Sequence, residues 1–166
     1  MGRVFSFPNP VNEVAARLVA AGVVVLSLAF LVTGQTWLLA LLAYGFVARV
    51  LAGPRFSPLA RVVTQVAVPR LGIEPKPVPG PPKRFAQGIG AVLSVTAAVL
   101  VLGFDQRVAG WIVLGLVVVA ATLESVFAYC LGCKIFAILM RIGVVPEAVC
   151  RECNDIWSRP RTRLGT

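Results

Sequence analysis

The sequence predicts an all-α membrane protein with four transmembrane helices arranged as two helical hairpins. Composition gives the first indication, because 58% of the 166 residues are hydrophobic and only 14% are charged. That balance is too apolar for a water-soluble domain of this size. The second indication is that the apolar residues fall into four stretches, each close to the roughly 20 residues that a helix needs to cross the hydrocarbon core.

The four predicted spans cover residues 14–32, 35–51, 85–104 and 108–129, and they place residues 1–142 in one bundle. We expect the first span to be retained, because no small-residue cleavage site follows it and a second span comes almost at once. The links within each pair are short, which predicts antiparallel neighbours. A long loop, residues 52–84, joins the two pairs.

Positive charge predicts the orientation, because Lys and Arg near span ends favour the cytoplasmic side. The turn around Gly34 carries no charge, and the turn around Asp105 holds only Arg107 of the 16 basic residues. Both termini and the central loop are therefore predicted to be cytoplasmic. The basic residues flank apolar spans, which indicates anionic lipid head groups as partners rather than nucleic acid.

The central loop divides into two parts. Apolar residues at helical spacing between Ser57 and Leu71, together with Arg61 and Arg70, predict a short amphipathic helix lying flat on the bilayer. The proline-rich part from Glu74 to Pro82 follows. It is predicted to be extended, because proline removes backbone donors and disfavours regular helix.

A cysteine-rich tail, residues 130–166, is predicted to be cytoplasmic, and it holds all four cysteines as the pairs Cys130/Cys133 and Cys150/Cys153. Cytosolic thiols are kept reduced, which disfavours a structural disulfide. The C-x2-C-x16-C-x2-C spacing is typical of a four-thiolate zinc site, with iron or an iron–sulfur cluster as the alternative metal. The segment Lys134–Arg141 is predicted to be a short helix at the interface, or else a continuation of the fourth span.

Two functional hypotheses follow from the cysteines. In the first, the protein is not an enzyme, and the metal stabilises a tail that docks a soluble redox or sulfur-handling partner. In the second, no metal binds, and one or both pairs act as a membrane thiol–disulfide oxidoreductase or carry sulfane sulfur. A small-solute transporter is a third hypothesis, although the spans offer few polar side chains for a pore. The absence of histidine excludes a Ser-His-Asp triad and a His-Glu-x-x-His zinc site.

Glu124 is the only acidic residue inside a predicted span. A carboxylate in a membrane is costly and normally has a partner. The candidate partners at similar depth are Arg49, Arg17 and Arg84. A structural ion pair is favoured over a proton path, because a single acid without intramembrane His, Asp or Lys makes a poor relay.

Several sequence blocks are distinctive in combination: Asn9-Pro10-Val11-Asn12-Glu13 with Arg17, Gly53-Pro54-Arg55-Phe56-Ser57-Pro58, Pro81-Pro82-Lys83-Arg84-Phe85-Ala86-Gln87 and Cys130-Leu131-Gly132-Cys133. They resemble, over nearly the whole chain, the bacterial integral-membrane family called domain of unknown function 4395. The resemblance implies a four-helix protein of the bacterial inner membrane, and the family pattern emphasises the first cysteine pair. By association it also implies a thioredoxin-like or sulfurtransferase partner.

Overall fold

The computed structural model describes residues 9–149, in which helices predominate. In chain order the helices are α1 (Glu13–Thr33), α2 (Thr36–Ala52), α3 (Pro58–Val62), α4 (Val68–Leu71), α5 (Gly80–Ala98), α6 (Arg107–Phe127) and α7 (Leu131–Arg141). Short π-helical turns, Val63–Ala67 and Val99–Gly103, follow α3 and α5, and 3-10 turns lie at Gly53–Arg55 and Glu147–Val149. Four helical segments are long and apolar enough to cross a membrane, which confirms the predicted class.

The four long helices form a ring in which α1 packs against α2 and α6, and α5 packs against α2 and α6. Large apolar side chains fill its centre, including Val23, Leu39 and Leu114. Other large apolar side chains, such as Val92 and Val119, are exposed on the outside of the ring. An apolar exterior suits helices whose surroundings are lipid rather than water.

The bounds of α1 follow from its sequence, whereas the end of α6 is set by its backbone conformation. The Asn12 side chain accepts the backbone N–H of Val14 at 3.0 Å and so caps the start of α1. Gly34, at φ +68°, ends α1 and begins the tight link to α2. Ala128, at φ +54°, ends α6 in the left-handed conformation. Because of this break, the alternative in which the short tail helix continues the fourth span is wrong.

The segment from α3 to α4 packs against α1 instead of lying apart from the bundle. Ala60 and Val63 form a small buried cluster with Ala15 and Val19. The opposite face of the segment exposes Val62, Val66 and Leu71. The segment is thus helical and amphipathic, whereas its placement on a bilayer surface remains a prediction.

The proline-rich segment is extended only in part. Pro77–Val78 (β2) pairs antiparallel with Val11–Asn12 (β1). The predicted extended segment was too long, however, because α5 begins at Gly80 and includes Pro81 and Pro82 in its first turn. Proline is tolerated there because the first N–H groups of a helix have no intrahelical acceptor. The early start places Lys83 on a helix facing the bundle, where it is buried.

Residues 9–12, the segment between α2 and α5, and α7 all lie at one end of the bundle, which we call the thiol end. The short links Gly34-Gln35 and Phe104-Asp105-Gln106 lie at the other. This arrangement follows because each short link turns the chain back along the bundle, so α1 begins, α2 ends, α5 begins and α6 ends at the same end. It brings the residues around Cys130 together with the first turn of α5 and the last turn of α6.

Candidate dithiol site

Cys130 is the residue that caps the first turn of α7. Its backbone is extended, and its Sγ accepts the backbone N–H of Cys133 at 3.4 Å. The positive end of the helix dipole and the unpaired N–H groups of the first turn favour a negatively charged sulfur at this position. The C-x-x-C pair therefore occupies the part of α7 best suited to hold a thiolate.

Close contact between α7 and α5 buries Cys130 and half-buries Cys133. A Cβ atom on Gly132 would lie 2.5 Å from the Cα and Cβ atoms of Ala86, so only glycine fits between these backbones. One turn later the rings of Phe136 and Phe85 stack at an angle, with 5.6 Å between their centroids. As a result Cys130 is only 8% exposed, although α7 follows the last membrane-length helix.

A charged pair lies beside the thiols. Lys83 Nζ is 2.6 Å from Glu124 Oε1, and the two side chains are 11% and 16% exposed. The Lys83 ammonium also interacts electrostatically with both cysteines. Glu124 therefore has an ion-pair partner that the sequence does not single out. The available signal was the Pro81-Pro82 pair, which is typical of a helix start and would have placed Lys83 inside the third span.

The three arginines named from the sequence differ in their contacts. Arg17 donates from Nη2 to the carbonyl oxygens of Ser125 at 3.0 Å and Val126 at 3.3 Å, near the carboxyl end of α6. Arg84 donates from Nε to the carbonyl oxygen of Val50 at 3.0 Å. Arg49 interacts electrostatically with Glu124, but none of the ion pairs among residues 9–149 includes it.

The two thiols of the pair differ in acidity. The pKa of Cys130 is lowered by a hydrogen bond from the Cys133 side chain, and the Lys83 ammonium lowers it further. Burial and the Glu124 carboxylate raise it, but the net shift is downward. The pKa of Cys133 is raised by the same hydrogen bond and by burial. Cys130 is therefore the sulfur that ionises first, and Cys133 is its proton-bearing neighbour.

A cavity of about 100 Å³ leads from Cys130 into the bundle. The cavity is lined by polar side chains, among them Lys83, Gln87 and Glu124, and by apolar side chains such as Val23 and Leu93. A small reagent that enters this cavity meets the Cys130 side of the pair.

The predicted four-cysteine metal site is only half within the described residues. Cys130 and Cys133 lie together, whereas Cys150 and Cys153 lie outside residues 9–149. Among the described residues, no group of three or more His, Cys, Asp or Glu side chains is placed to hold a metal ion. Binding of zinc or iron by all four cysteines therefore remains a prediction from spacing.

The fold and this site define a multi-pass membrane protein with a partly buried pair of free cysteines at one end of its helical bundle. The chain belongs to the family described as "Domain of unknown function (DUF4395)", which matches residues 11–141. The match ends with α7, so it includes Cys130 and Cys133 and excludes the second cysteine pair. No curated protein and no solved structure matches the chain.

The lowered pKa of Cys130 predicts a pH profile. The thiolate is the form that reacts, so the rate of alkylation by iodoacetamide should reach half its maximum below the ordinary thiol value of about 8.5. We expect Cys133→Ala, which removes the side-chain donor, to move this midpoint to higher pH. Cys133→Ser keeps an O–H donor and should move it less. The measurement is the alkylation rate of Cys130 against pH, with Cys150 and Cys153 replaced by serine. Identical midpoints for the alanine and serine variants would contradict the assigned hydrogen bond.

Proposed function

We propose that the protein is a membrane-embedded thiol–disulfide exchange protein in which Cys130 attacks and Cys133 resolves. The observation that carries this proposal is the position of Cys130 at the first turn of α7, where its Sγ accepts the Cys133 N–H beside the Lys83 ammonium. Such surroundings favour a thiolate, which is the nucleophile in disulfide exchange. A second thiol three residues later is placed to complete the exchange.

The reaction needs a co-reactant, which we propose to be a disulfide of a soluble protein. The Cys130 thiolate attacks one sulfur of that disulfide, the partner's S–S bond breaks, and its other sulfur leaves as a thiolate that takes up a proton. Cys133 then loses its proton and attacks Cys130, which releases the partner's second sulfur as a thiolate. Two electrons have passed to the partner, and Cys130 and Cys133 are joined by a disulfide. A partner dithiol reverses each step.

The membrane topology of the protein is also part of the proposal. We propose that the long helices form two hairpins in the inner membrane, with the thiol end and both termini in the cytoplasm. The support is the charge distribution, because the link between α1 and α2 is uncharged and that between α5 and α6 adjoins a single basic residue. A soluble thioredoxin-like protein is the partner that this location favours.

Glutathione disulfide provides the test. The purified full-length protein, with Cys150 and Cys153 replaced by serine, is incubated with the reagent and analysed by intact mass spectrometry. We expect the chain with both remaining cysteines to form an internal disulfide and retain no glutathione. Cys133→Ser should retain one glutathione on Cys130, because nothing resolves the mixed disulfide, and Cys130→Ser should react far more slowly.

Metal analysis of the wild type and of single cysteine variants separates thiol exchange from metal binding. Stoichiometric zinc or iron in anaerobically prepared wild-type protein, together with its loss in either Cys130→Ser or Cys150→Ser, would contradict the proposal and support the four-cysteine site. Retention of glutathione by Cys130→Ser, but not by Cys133→Ser, would reverse the two assigned roles.

A further inference from the structure

Arg49 is a buried cation with an unused donor. The residue is 4% exposed, and its Nε donates to the carbonyl oxygen of Gly45 at 2.9 Å. Its guanidinium carbon lies 4.3 Å from the centre of the Phe46 ring. Nη1 is buried and has no hydrogen-bond partner within residues 9–149. A guanidinium inside an apolar bundle is costly without a counter-ion, so this geometry requires an explanation.

Two cavities meet at this arginine. The inner one is the cavity of about 100 Å³ that reaches Cys130. The outer one, of about 200 Å³, is lined by residues near the N-terminal strand and the turn after α2, at the thiol end of the bundle. Arg49, Lys83 and Gln87 line both cavities. The three polar side chains therefore stand where the two spaces meet.

The charges around these cavities do not balance. Among the described residues that line them, Arg49 and Lys83 are positive and Glu124 is the one acidic residue, which leaves a net charge of +1 (two minus one). Lys83 and Glu124 already pair with each other, so the excess belongs to Arg49. An excess of one positive charge matches a monovalent anion.

Gln87 supplies a second group for such a ligand. Its side-chain oxygen is also buried and has no hydrogen-bond partner in the part of the chain that the structure describes. An amide can present either its oxygen or its NH2 group to a ligand after a half-turn about its terminal bond. The inner cavity exceeds the roughly 30 Å³ that one water molecule occupies in the liquid, so a halide or a small oxyanion fits there.

We infer that the inner cavity binds a small monovalent anion between the Arg49 guanidinium and the Gln87 amide, and that the anion enters through the outer cavity. The binding site needs neither thiol exchange nor a metal. Cys130 lines the same cavity, so an ionised sulfur there competes with the anion for positive charge. Anion affinity is therefore expected to be equal or higher when both cysteines are replaced by serine.

Chloride is the probe, and thermal unfolding of the purified full-length protein in a zwitterionic detergent is the measurement. Sodium chloride replaces sodium gluconate at constant sodium concentration, because the six-carbon gluconate anion is too large for the inner cavity. We expect Tm to rise by about 4 °C once chloride is roughly tenfold above its Kd, and to rise further with the logarithm of the chloride concentration above that point. The absence of a rise in Tm when chloride replaces gluconate would overturn the inference.

Variants locate the effect. Arg49→Gln should abolish the chloride response, whereas Arg55→Gln, which removes an exposed charge from the neighbouring turn, should leave it unchanged. Gln87→Leu keeps the Arg49 guanidinium and should weaken chloride binding about tenfold, as expected for the loss of one hydrogen bond to a charged ligand. This variant tests the anion site if Arg49→Gln does not fold. An unchanged Kd in Gln87→Leu, or a full response in Arg49→Gln, would overturn the inference.

The serine variant separates this inference from the proposed function. Cys130→Ser together with Cys133→Ser should retain the chloride response although it cannot exchange with glutathione disulfide. Loss of the response in that variant would assign the chloride effect to the thiols and overturn the anion site. Failure of the glutathione experiment leaves the chloride measurement unaffected.

Discussion

Glu124→Gln is expected to lower the free energy of unfolding by about 3–5 kcal/mol, the cost of breaking a buried ion pair by removing one partner. The carboxylate lies 2.6 Å from Lys83 Nζ and is 16% exposed. Its removal leaves Lys83 and Arg49 buried without a negative charge among the residues that line the inner cavity. The measurement is unfolding of the purified protein in detergent, followed by circular dichroism.

The matched control is Glu13→Gln, which breaks the other Lys–Glu pair among the described residues. Lys76 Nζ lies 3.1 Å from Glu13 Oε2; the Lys76 side chain is 73% exposed and the Glu13 side chain is 17% exposed. This change should cost less than about 1 kcal/mol, because water screens the pair on the lysine side and solvates the ammonium that is left. Equal effects of the two changes would contradict the structural importance of the buried pair.

A double substitution sharpens the result. Lys83→Met combined with Glu124→Leu removes both charges of the pair, and we expect it to be less damaging than Glu124→Leu alone, because Lys83 is no longer buried opposite a missing partner. The coupling energy from the double-mutant cycle measures the interaction itself. A double variant that is as unstable as the sum of the two single variants would show that the side chains act independently.

Gly132→Ala is expected to separate α7 from α5 and to cost about 1–3 kcal/mol, the usual penalty for overpacking. The added methyl group would meet the backbone of Ala86 at 2.5 Å, where no flexible side chain can move aside. Cys130 should then become more accessible. The measurements are thermal unfolding and the alkylation rate of Cys130, and both should change together.

Gly88→Ala is the control for this prediction. Gly88 lies on α5 near the same contact, but a Cβ atom added there has no neighbour within 4 Å. The change should be neutral or slightly stabilising, because alanine favours helix over glycine. If Gly132→Ala behaved like Gly88→Ala, the close approach of α7 to α5 would not be required for the site.

The sequence predicts the long helices well because their signal is local. Four long runs of apolar residues are visible without any knowledge of packing, and each corresponds to a helix long enough to cross a membrane. The start of α5 was harder to place. Proline usually opposes helix, but it is accepted in the first turn, and Gly80 to Pro82 lie there. That small shift decides whether Lys83 is counted with the loop or with the bundle.

The site was less predictable because its contacts join residues far apart in sequence. Spacing identifies Cys130 and Cys133 as a pair, and hydropathy identifies Glu124 as an isolated intramembrane acid. Neither reveals that Lys83 approaches both, since that depends on how α5 packs beside α6. The asymmetry of the thiols likewise depends on where α7 begins, and Ala128 gives no residue-type signal for the left-handed turn that sets it.

The contact between Gly132 and Ala86 leaves the two residues between the cysteines with unequal freedom. Gly132 is fixed by the neighbouring backbone, whereas Leu131 is 38% exposed. Reduction potentials differ widely among C-x-x-C scaffolds. A substitution between the cysteines that is meant to change the reduction potential of the Cys130/Cys133 pair must therefore act through Leu131. A library randomised at that single position would sample the reduction potentials that the scaffold permits.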